Sequence, residues 1–267
     1  AGRVFSMTGI ESRRVAPSNI CTSDLCHNAA DRLLDALGWE RDSVQGLVFL
    51  SQTPDYILPA TACLLQNRLG LPQSCACFDV NMGCSGYVYG LMVASSLVQA
   101  GLGRVLLLVG DSINRICSEE DKSVAFLFGD AGSATALEIG EVPATFVLGT
   151  DGGGAEREVP ELFAQLQKES GIEKDAFDAV VLHQANQFML DGLGRKMGVE
   201  KSRIPSSVKN FGNTSCASIP VTLSCCLRER LQDAAMNLAL LGFGVGWSWA
   251  GCALQVGPIA IPEQAFI

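Results

Sequence analysis

The stretch FDVNMGCSGYVYG, residues 78–90, places a cysteine at the junction between a predicted strand and a predicted helix. Its apolar beginning is typical of a strand, and the uncharged run that follows is typical of a buried helix. Cys84 lies between Gly83 and Gly86, which would let the backbone approach a substrate carbonyl. Since the positive end of a helix stabilises a thiolate, this position predicts a lowered pKa and makes Cys84 a candidate nucleophile.

Strand and helix patterns alternate along the chain on both sides of this junction. Predicted helices cover 24–37, 60–69, 85–100, 158–169, 185–197 and 216–231. Predicted strands cover 46–52, 75–80, 104–111, 179–184, 206–210, 236–242 and 247–256, and 124–140 is predicted as strand, glycine turn and strand. Apolar strands that alternate with helices indicate an α/β fold with largely parallel sheets covered on both faces.

The chain also repeats its own pattern. GWERDSVQGLVFL (38–50) and GIEKDAFDAVVLH (171–183) share a glycine, a glutamate, a basic residue and an aspartate in step, at an offset of 133. VNMGCSG (80–86) and KNFGNTS (209–215) match at an offset of 129, which aligns Cys84 with the asparagine of the second stretch. These matches favour a duplication.

A duplication predicts two halves, residues 1–150 and 151–267, that pack about a pseudo-twofold axis. Equivalent positions close to the axis meet, so we expect Cys84 and Asn213 to lie near each other. His183 follows a predicted apolar strand, at the end where open α/β sheets place their sites. The three residues are therefore expected to form one site.

Each of these residues also has an ordinary structural explanation. A cysteine among glycines can simply pack in the core, and an asparagine between a glycine and a helix often only shapes a turn. The other histidine, His27, belongs to a predicted amphipathic helix, where we expect a structural role. The set of thiol, imidazole and amide, rather than any one member, favours chemistry.

Composition disfavours several classes of function. The net charge of −9 disfavours binding to nucleic acids or anionic membranes, which requires a basic surface. Two uncharged runs, 80–103 and 234–262, contain many glycines and several polar residues, so we interpret them as a buried helix and buried strands rather than membrane spans. Eleven cysteines in 267 residues are interpreted as reduced thiols of a cytoplasmic protein. Without a CxxC pair, no metal site is expected.

The motifs GCSGY (83–87), HQAN (183–186) and GNTSCASIP (212–220), in that order, resemble those of β-ketoacyl-acyl-carrier-protein synthase III enzymes of the thiolase-like superfamily. The resemblance runs nearly end to end and includes SMTGIESR (6–13), LPATACLLQNRLGL (58–71), FGDAGSATAL (128–137) and GFGVGWSW (242–249). It implies a thiolase-like five-layer α-β-α-β-α duplication with two mixed, mainly parallel sheets. This fold agrees with the internal repeat.

The resemblance also implies an activity, the decarboxylative Claisen condensation of an acyl group with malonyl-acyl-carrier-protein in fatty-acid or polyketide-type synthesis. Cys84 matches the acylated nucleophile, and His183 and Asn213 match the pair that supports decarboxylation. The tetrahedral oxyanion would lie between the Cys84 N–H and a glycine loop, with Val245 as the aligned position. That loop consists of Phe243, Gly244, Val245 and Gly246.

Coenzyme A or phosphopantetheine thioesters would be the substrates, with no permanently bound cofactor. The resemblance assigns substrate binding to Leu58, Lys122, Asn186 and Phe188, and acyl carrier protein docking to Arg195 and Lys196. Family members often carry an arginine where this chain has Met7, Lys122 and Phe188. These differences predict weaker contacts to coenzyme A and favour a specialised or carrier-bound starter.

Two other functions remain open at this point. The same fold could transfer an acyl group without decarboxylation, or serve as a non-catalytic partner in a dimer; Asn213 favours condensation, and the intact triad argues against a non-catalytic role. A cytoplasmic homodimer is expected for a member of the family. The chain is short for the family, so the resemblance further predicts that segments before residue 3 and near 154–155 are absent from the sequence.

Overall fold

The structure is a computed structural model that describes residues 8–118, 120–121, 124–153 and 159–267. Its helices are α1 (Thr22–Leu37), α2 (Thr61–Arg68), α3 (Gly86–Gln99), α4 (Val159–Ser170), α5 (Gln187–Met197), α6 (Val208–Phe211), α7 (Ser218–Cys226) and α8 (Arg228–Asp233). Its strands are β1 (Gly46–Leu50), β2 (Ala76–Val80), β3 (Arg104–Asp111), β4 (Ala131–Glu138), β5 (Thr145–Thr150), β6 (Ala179–Leu182), β7 (Met236–Gly244) and β8 (Ser248–Val256).

The strands form two sheets that share the arrangement of three strands, whereas the fourth strand is parallel to its neighbour in one sheet (β2) and antiparallel in the other (β5). One has the order β2-β1-β3-β4 and the other the order β5-β8-β7-β6. In each, a parallel pair (β1 with β3, β6 with β7) is followed by an antiparallel pair (β3 with β4, β7 with β8). Gly46 lies opposite Val105 in the first sheet, and Ala179 lies opposite Leu238 in the second. Each residue of the second pair follows its counterpart in the first pair by 133 positions. The register thus confirms the repeat seen in the sequence.

Helices and sheets stack in five layers. Helices α1 and α2 cover the outer face of the first sheet, and α4 and α5 cover the outer face of the second. Helix α3 lies between the sheets and packs against β1, β3, β7 and β8, which explains why its sequence carries no charge. Each aliphatic side chain buried completely in this layer contributes about 1.5–3 kcal/mol. The five-layer fold expected from the sequence is confirmed.

Both uncharged runs are interior elements, as expected. Residues 80–103 contain α3, and residues 234–262 contain β7 and β8. In the part of the chain that the structure describes, no helix combines the length and the apolar character needed to cross a membrane.

Three expectations about elements were wrong or incomplete. Residues 206–210 do not form a strand, because the Ser207 N–H is bonded to the side chain of Gln184 (2.9 Å) and the chain then turns into α6. In 124–140 only β4 is a strand, since successive turns occupy 124–127. Helix 216–231 is interrupted at Leu227 and becomes α7 and α8.

Strand β5 was not expected. It pairs along its whole length with β8, about a hundred residues further along the chain, so its edge position depends on a long-range partner. Because β5 covers residues 145–150, the second sheet begins before residue 151, the boundary expected from the sequence.

Candidate active site

Cys84 lies in the turn between β2 and α3, two residues before the helix begins at Gly86. The end of β7 packs directly against it: a Cβ atom added at Gly244 would lie only 2.6 Å from the Cβ of Cys84. Position 244 must therefore be glycine for both backbones to keep their places. The adjacent Ser85 hydroxyl lies 2.8 Å from the hydroxyl of Ser248, which ties the turn between β7 and β8 to the same junction.

The pKa of the Cys84 thiol was expected to be lowered, and this expectation was wrong. Burial raises the pKa to about 11, and the negative charge of Asp111 adds to the increase. A hydrogen bond from the Ser215 side chain acts in the opposite direction but does not outweigh burial. The resting thiol is therefore protonated at neutral pH, because a dry site disfavours the thiolate.

His183 directly follows β6 and is 2% exposed. Its backbone N–H donates to the Leu241 carbonyl (2.8 Å), and its Nδ1 lies 2.7 Å from Ser218 Oγ. The ring also packs edge-on against Phe243, with centroids 5.5 Å apart. Burial lowers the pKa of His183 to about 4, although a hydrogen bond to the backbone of Ser215 opposes the shift. The imidazole is consequently neutral at pH 7.

Asn213 is held by its backbone and by its side chain. Its N–H donates to the Leu127 carbonyl (2.9 Å), and its own carbonyl accepts from Gly129 N (3.0 Å). Gly212 precedes it with φ of 66°, a conformation that favours glycine. The side-chain oxygen Oδ1 accepts a hydrogen bond from Ser215 N at 2.9 Å. Because that contact identifies the oxygen, the amide Nδ2 of Asn213 is left as a hydrogen-bond donor.

Ser215 brings the three candidate residues together. Its side chain lowers the pKa of Cys84, its backbone raises the pKa of His183, and its N–H donates to Asn213 Oδ1 at 2.9 Å. Ser215 is 1% exposed and has φ of 51°, the only positive φ of a non-glycine residue in the described ranges. A thiol, a neutral imidazole and an amide are thus gathered around one buried turn.

The predicted oxyanion loop, 243–246, covers the last two residues of β7 and the first two residues of the turn that leads to β8. Phe243 is buried against His183, whereas Val245 is 86% exposed. Two backbone hydrogen bonds between Trp247 and Asp151 (2.8 and 3.0 Å) fix the far side of the turn. Gly244 lies against Cys84, so the end of β7 is beside the thiol.

Comparison with known proteins shows the family of the chain. Residues 78–153 match the family model of 3-oxoacyl-[acyl-carrier-protein] synthase III, and residues 167–256 match the model of its C-terminal domain. The chain belongs to this family. It is an acyltransferase of the synthase III type, and its reaction is the decarboxylative condensation of fatty-acid or polyketide-type synthesis.

Similar proteins cover nearly the whole of this synthase. The β-ketoacyl-[acyl-carrier-protein] synthase III of Geobacillus kaustophilus is 31% identical over 95% of this chain and 89% of its own length. The crystal structure of a 3-oxoacyl-(acyl-carrier protein) synthase from Burkholderia xenovorans LB400 has a TM-score of 0.94 and 39% identity, over 98% of this chain and 87% of that one. The synthase III structure from Pseudomonas aeruginosa PAO1 has a TM-score of 0.90 and 29% identity, over 97% of this chain and 90% of that one.

The expected substrate positions of the synthase fall into three groups. Leu58 and Phe188 are exposed apolar side chains, 86% and 74% exposed. Asn186 caps α5, since its Oδ1 accepts from Met189 N at 2.8 Å, so it has a structural task as well. Lys122 lies outside the described residues, as does position 7.

Two residues of the site were not expected from the sequence, Ser215 and Asp111. Ser215 belongs to the quoted motif GNTSCASIP, but nothing local shows that it would contact three other side chains. Asp111 ends the apolar strand RVLLLVGD. A lone carboxylate at the carboxyl end of a buried strand was an available signal, because sites of α/β proteins lie there.

Proposed function

We propose that Cys84 carries the acyl group in this synthase and that His183 and Asn213 stabilise the enolate formed from malonyl-acyl-carrier-protein. The observation that supports this assignment is the position of Ser215, which contacts all three residues and leaves Asn213 Nδ2 as a donor. Cys84 and His183 are both neutral at pH 7, so the site begins the reaction without a charge on either group.

In the first half-reaction the Cys84 sulfur attacks the carbonyl carbon of an acyl thioester. The thiol proton leaves as the new C–S bond forms, and the departing thiolate of coenzyme A or phosphopantetheine takes up a proton. The N–H groups of Cys84 and of the 243–246 loop hold the tetrahedral oxyanion. The product is an acyl-enzyme with no net change in charge at the site.

In the second half-reaction malonyl-acyl-carrier-protein loses CO₂. The electron pair of the broken C–C bond moves onto the thioester as an enolate, whose oxygen accepts hydrogen bonds from His183 and from Asn213 Nδ2. The enolate carbon then attacks the acyl group on Cys84. Collapse of the oxyanion expels the thiolate, which takes one proton from solvent, and releases a 3-oxoacyl carrier.

Intact-protein mass spectrometry tests the nucleophile and identifies the starter together. The protein is incubated with a panel of acyl-CoA and acyl-carrier thioesters, and the mass of one acyl group should be added to the wild type but not to Cys84→Ala. Cys63→Ala, which removes an exposed thiol, is the matched control and should be acylated normally. An acyl group retained by Cys84→Ala would refute the assignment.

Docking of acyl carrier protein is proposed at the end of α5. Arg195 and Lys196 are exposed in its last turn. Exposure and position therefore favour Arg195 and Lys196 as the contacts to an acidic carrier.

A homodimer is proposed as the working form, in the cytoplasm where reduced thiols persist. Its support is the segment Tyr56–Leu58, three consecutive apolar residues of which Ile57 is 99% exposed. A second copy that covers this segment would remove a costly apolar surface from water. Sedimentation velocity should give a dimer for the wild type and a monomer for Ile57→Asp; a wild-type monomer at micromolar concentration would contradict the proposal.

A further inference from the structure

Asp111 carries a buried carboxylate that the condensation described above does not use. It is the last residue of β3 and is 0% exposed. Its Oδ1 accepts from Gln52 N (2.7 Å) and Ser51 Oγ (2.9 Å), and its Oδ2 accepts from Gln52 Nε2 (3.1 Å) and Cys216 Sγ (3.1 Å). Burying a carboxylate is costly, so a fold that keeps one surrounds it with donors as seen here.

Gln52 connects this carboxylate to the active site. Its Nε2 donates not only to Asp111 but also to Ser215 Oγ, at 2.8 Å. An amide nitrogen can only donate, so Ser215 Oγ must accept at that contact. The hydroxyl hydrogen of Ser215 is then available to point towards Cys84, whose pKa the Ser215 side chain lowers. The N–H of the same serine holds Asn213 Oδ1.

We infer that Asp111 and Gln52 are positioning residues for the condensation, acting through Ser215. By fixing Ser215, they direct its hydroxyl at the sulfur of Cys84 and keep the Asn213 amide turned with Nδ2 available to the enolate. This inference rests on the proposed roles of Cys84 and Asn213. Neither Asp111 nor Gln52 needs to touch the reacting atoms.

The charge of Asp111 has a second consequence, which makes the inference testable by titration. Three thiols face the carboxylate, and its charge contributes to raising the pKa of each: Cys84, Cys216 and, from α1, Cys26. Asp55 adds to the effect on Cys26. For Cys84 the Asp111 charge outweighs the opposing hydrogen bond from Ser215.

The first test is Gln52→Leu, which breaks the connection and leaves the buried carboxylate in place. Gln52 is exposed, so the variant should fold. We expect kcat for condensation to fall about tenfold to hundredfold, with KM for malonyl carrier nearly unchanged, because a hydrogen bond within a charged network is lost. The rate of Cys84 alkylation by iodoacetamide, measured against pH, should shift to higher pH as the thiolate loses the Ser215 hydroxyl.

The second test is Asp111→Asn, which removes the charge and one of the two acceptor oxygens. Alkylation of Cys84 should now shift in the opposite direction, to lower pH by about one unit, because a neighbouring negative charge is gone. Condensation should still slow, since Gln52 is no longer held. The double variant Gln52→Leu/Asp111→Asn should lose no more kcat than the worse single variant if both residues act through Ser215.

Asp79→Asn is the matched control. Asp79 is also a strand carboxylate that accepts hydrogen bonds, but its partners are Thr61 N and Ala62 N (both 2.7 Å) at the start of α2. The Asp79→Asn variant should have a lower melting temperature, and the pH dependence of Cys84 alkylation should stay that of the wild type.

An unchanged kcat and alkylation profile in Gln52→Leu would overturn the inference, even if Asp111→Asn failed to fold. Alkylation shifts in the same direction for both variants would also overturn it. Failure of the proposed function is recognised separately, by Cys84→Ala retaining the acyl group or by wild-type protein releasing no CO₂ from malonyl carrier.

Discussion

At the scale of single residues, the direction of one amide decides what Asn213 can do. Its oxygen is engaged by Ser215 N, so its nitrogen is the group that can meet an enolate. Asn213→Ala should therefore still acquire an acyl group on Cys84 but release CO₂ from malonyl carrier about 10²–10³-fold more slowly. Mass spectrometry and CO₂ release measure the two steps separately.

Asn210→Ala is the control for that variant, because Asn210 is exposed and lies one turn before Asn213. It should condense at the wild-type rate. Normal condensation by Asn213→Ala would instead mean that the amide does not stabilise the enolate.

His183 makes the stability of the fold depend on pH. Its pKa is about 4 in the folded protein and near 6.5 when unfolded, so only the unfolded chain takes up the proton between these values. Above pH 6.5 the ring is neutral in both states and does not oppose folding. As the pH falls from 6.5 towards 4, the free energy of unfolding decreases by about 3 kcal/mol in total. Urea unfolding at pH 7 and pH 4.5 should show a smaller difference in His183→Gln than in the wild type. Equal differences would show that other groups cause the acid sensitivity.

At the scale of elements, the close contact between β7 and the turn before α3 places the glycine loop beside the thiol. A side chain at Gly244 would collide with the backbone-linked Cβ of Cys84, which cannot rotate away. Gly244→Ala should reduce the rate of Cys84 acylation and lower the melting temperature, as one of the two elements has to shift. Acylation kinetics with calorimetry measure both effects.

Gly140→Ala provides the comparison, since a Cβ at Gly140 would meet no atom within 4 Å and its φ is not positive. It should leave both quantities close to those of the wild type. If Gly244→Ala behaved in the same way, the contact between β7 and Cys84 would not constrain the site.

At the scale of the whole molecule, the net charge of −9 opposes association with an acidic carrier protein, so docking requires a local basic surface. Replacing Arg195 and Lys196 together by glutamate should raise KM for malonyl carrier and make the affinity less dependent on salt, because attractive charges at a rim mainly speed association. Acylation by a small acyl-CoA should barely change. Steady-state kinetics at several salt concentrations measure the difference between the two donors.

Lys168→Glu is the control for this double variant, since Lys168 is an exposed lysine in the last turn of α4. It should leave KM for the carrier close to that of the wild type. An equal loss with both acyl donors in the double variant would assign Arg195 and Lys196 to coenzyme A or to the fold rather than to the carrier.

The sequence by itself predicted the duplication from its repeated patterns, the five layers from the resemblance to synthase III enzymes, and Cys84, His183 and Asn213 as candidate site residues. Repeats, apolar runs, glycine-flanked turns and short motifs are all signals that are local in the chain. Strand and helix types were predicted well where the pattern was apolar and continuous, as in α3 and β3. Such signals do not indicate which distant segment of the chain will pack against a given helix or strand.

Only the tertiary structure decided the elements and contacts that depend on distant partners. Strand β5 exists because β8 pairs with it, and residues 206–210 are not a strand because the Gln184 side chain binds the Ser207 N–H. The protonation state of the Cys84 thiol also depends on residues that are distant in the sequence. A helix start predicts a lowered pKa for Cys84, but burial and the charge of Asp111, 27 residues away in sequence, raise it. Desolvation and charge depend on which residues lie nearby in the folded protein, and that proximity cannot be predicted from the order of residues along the chain.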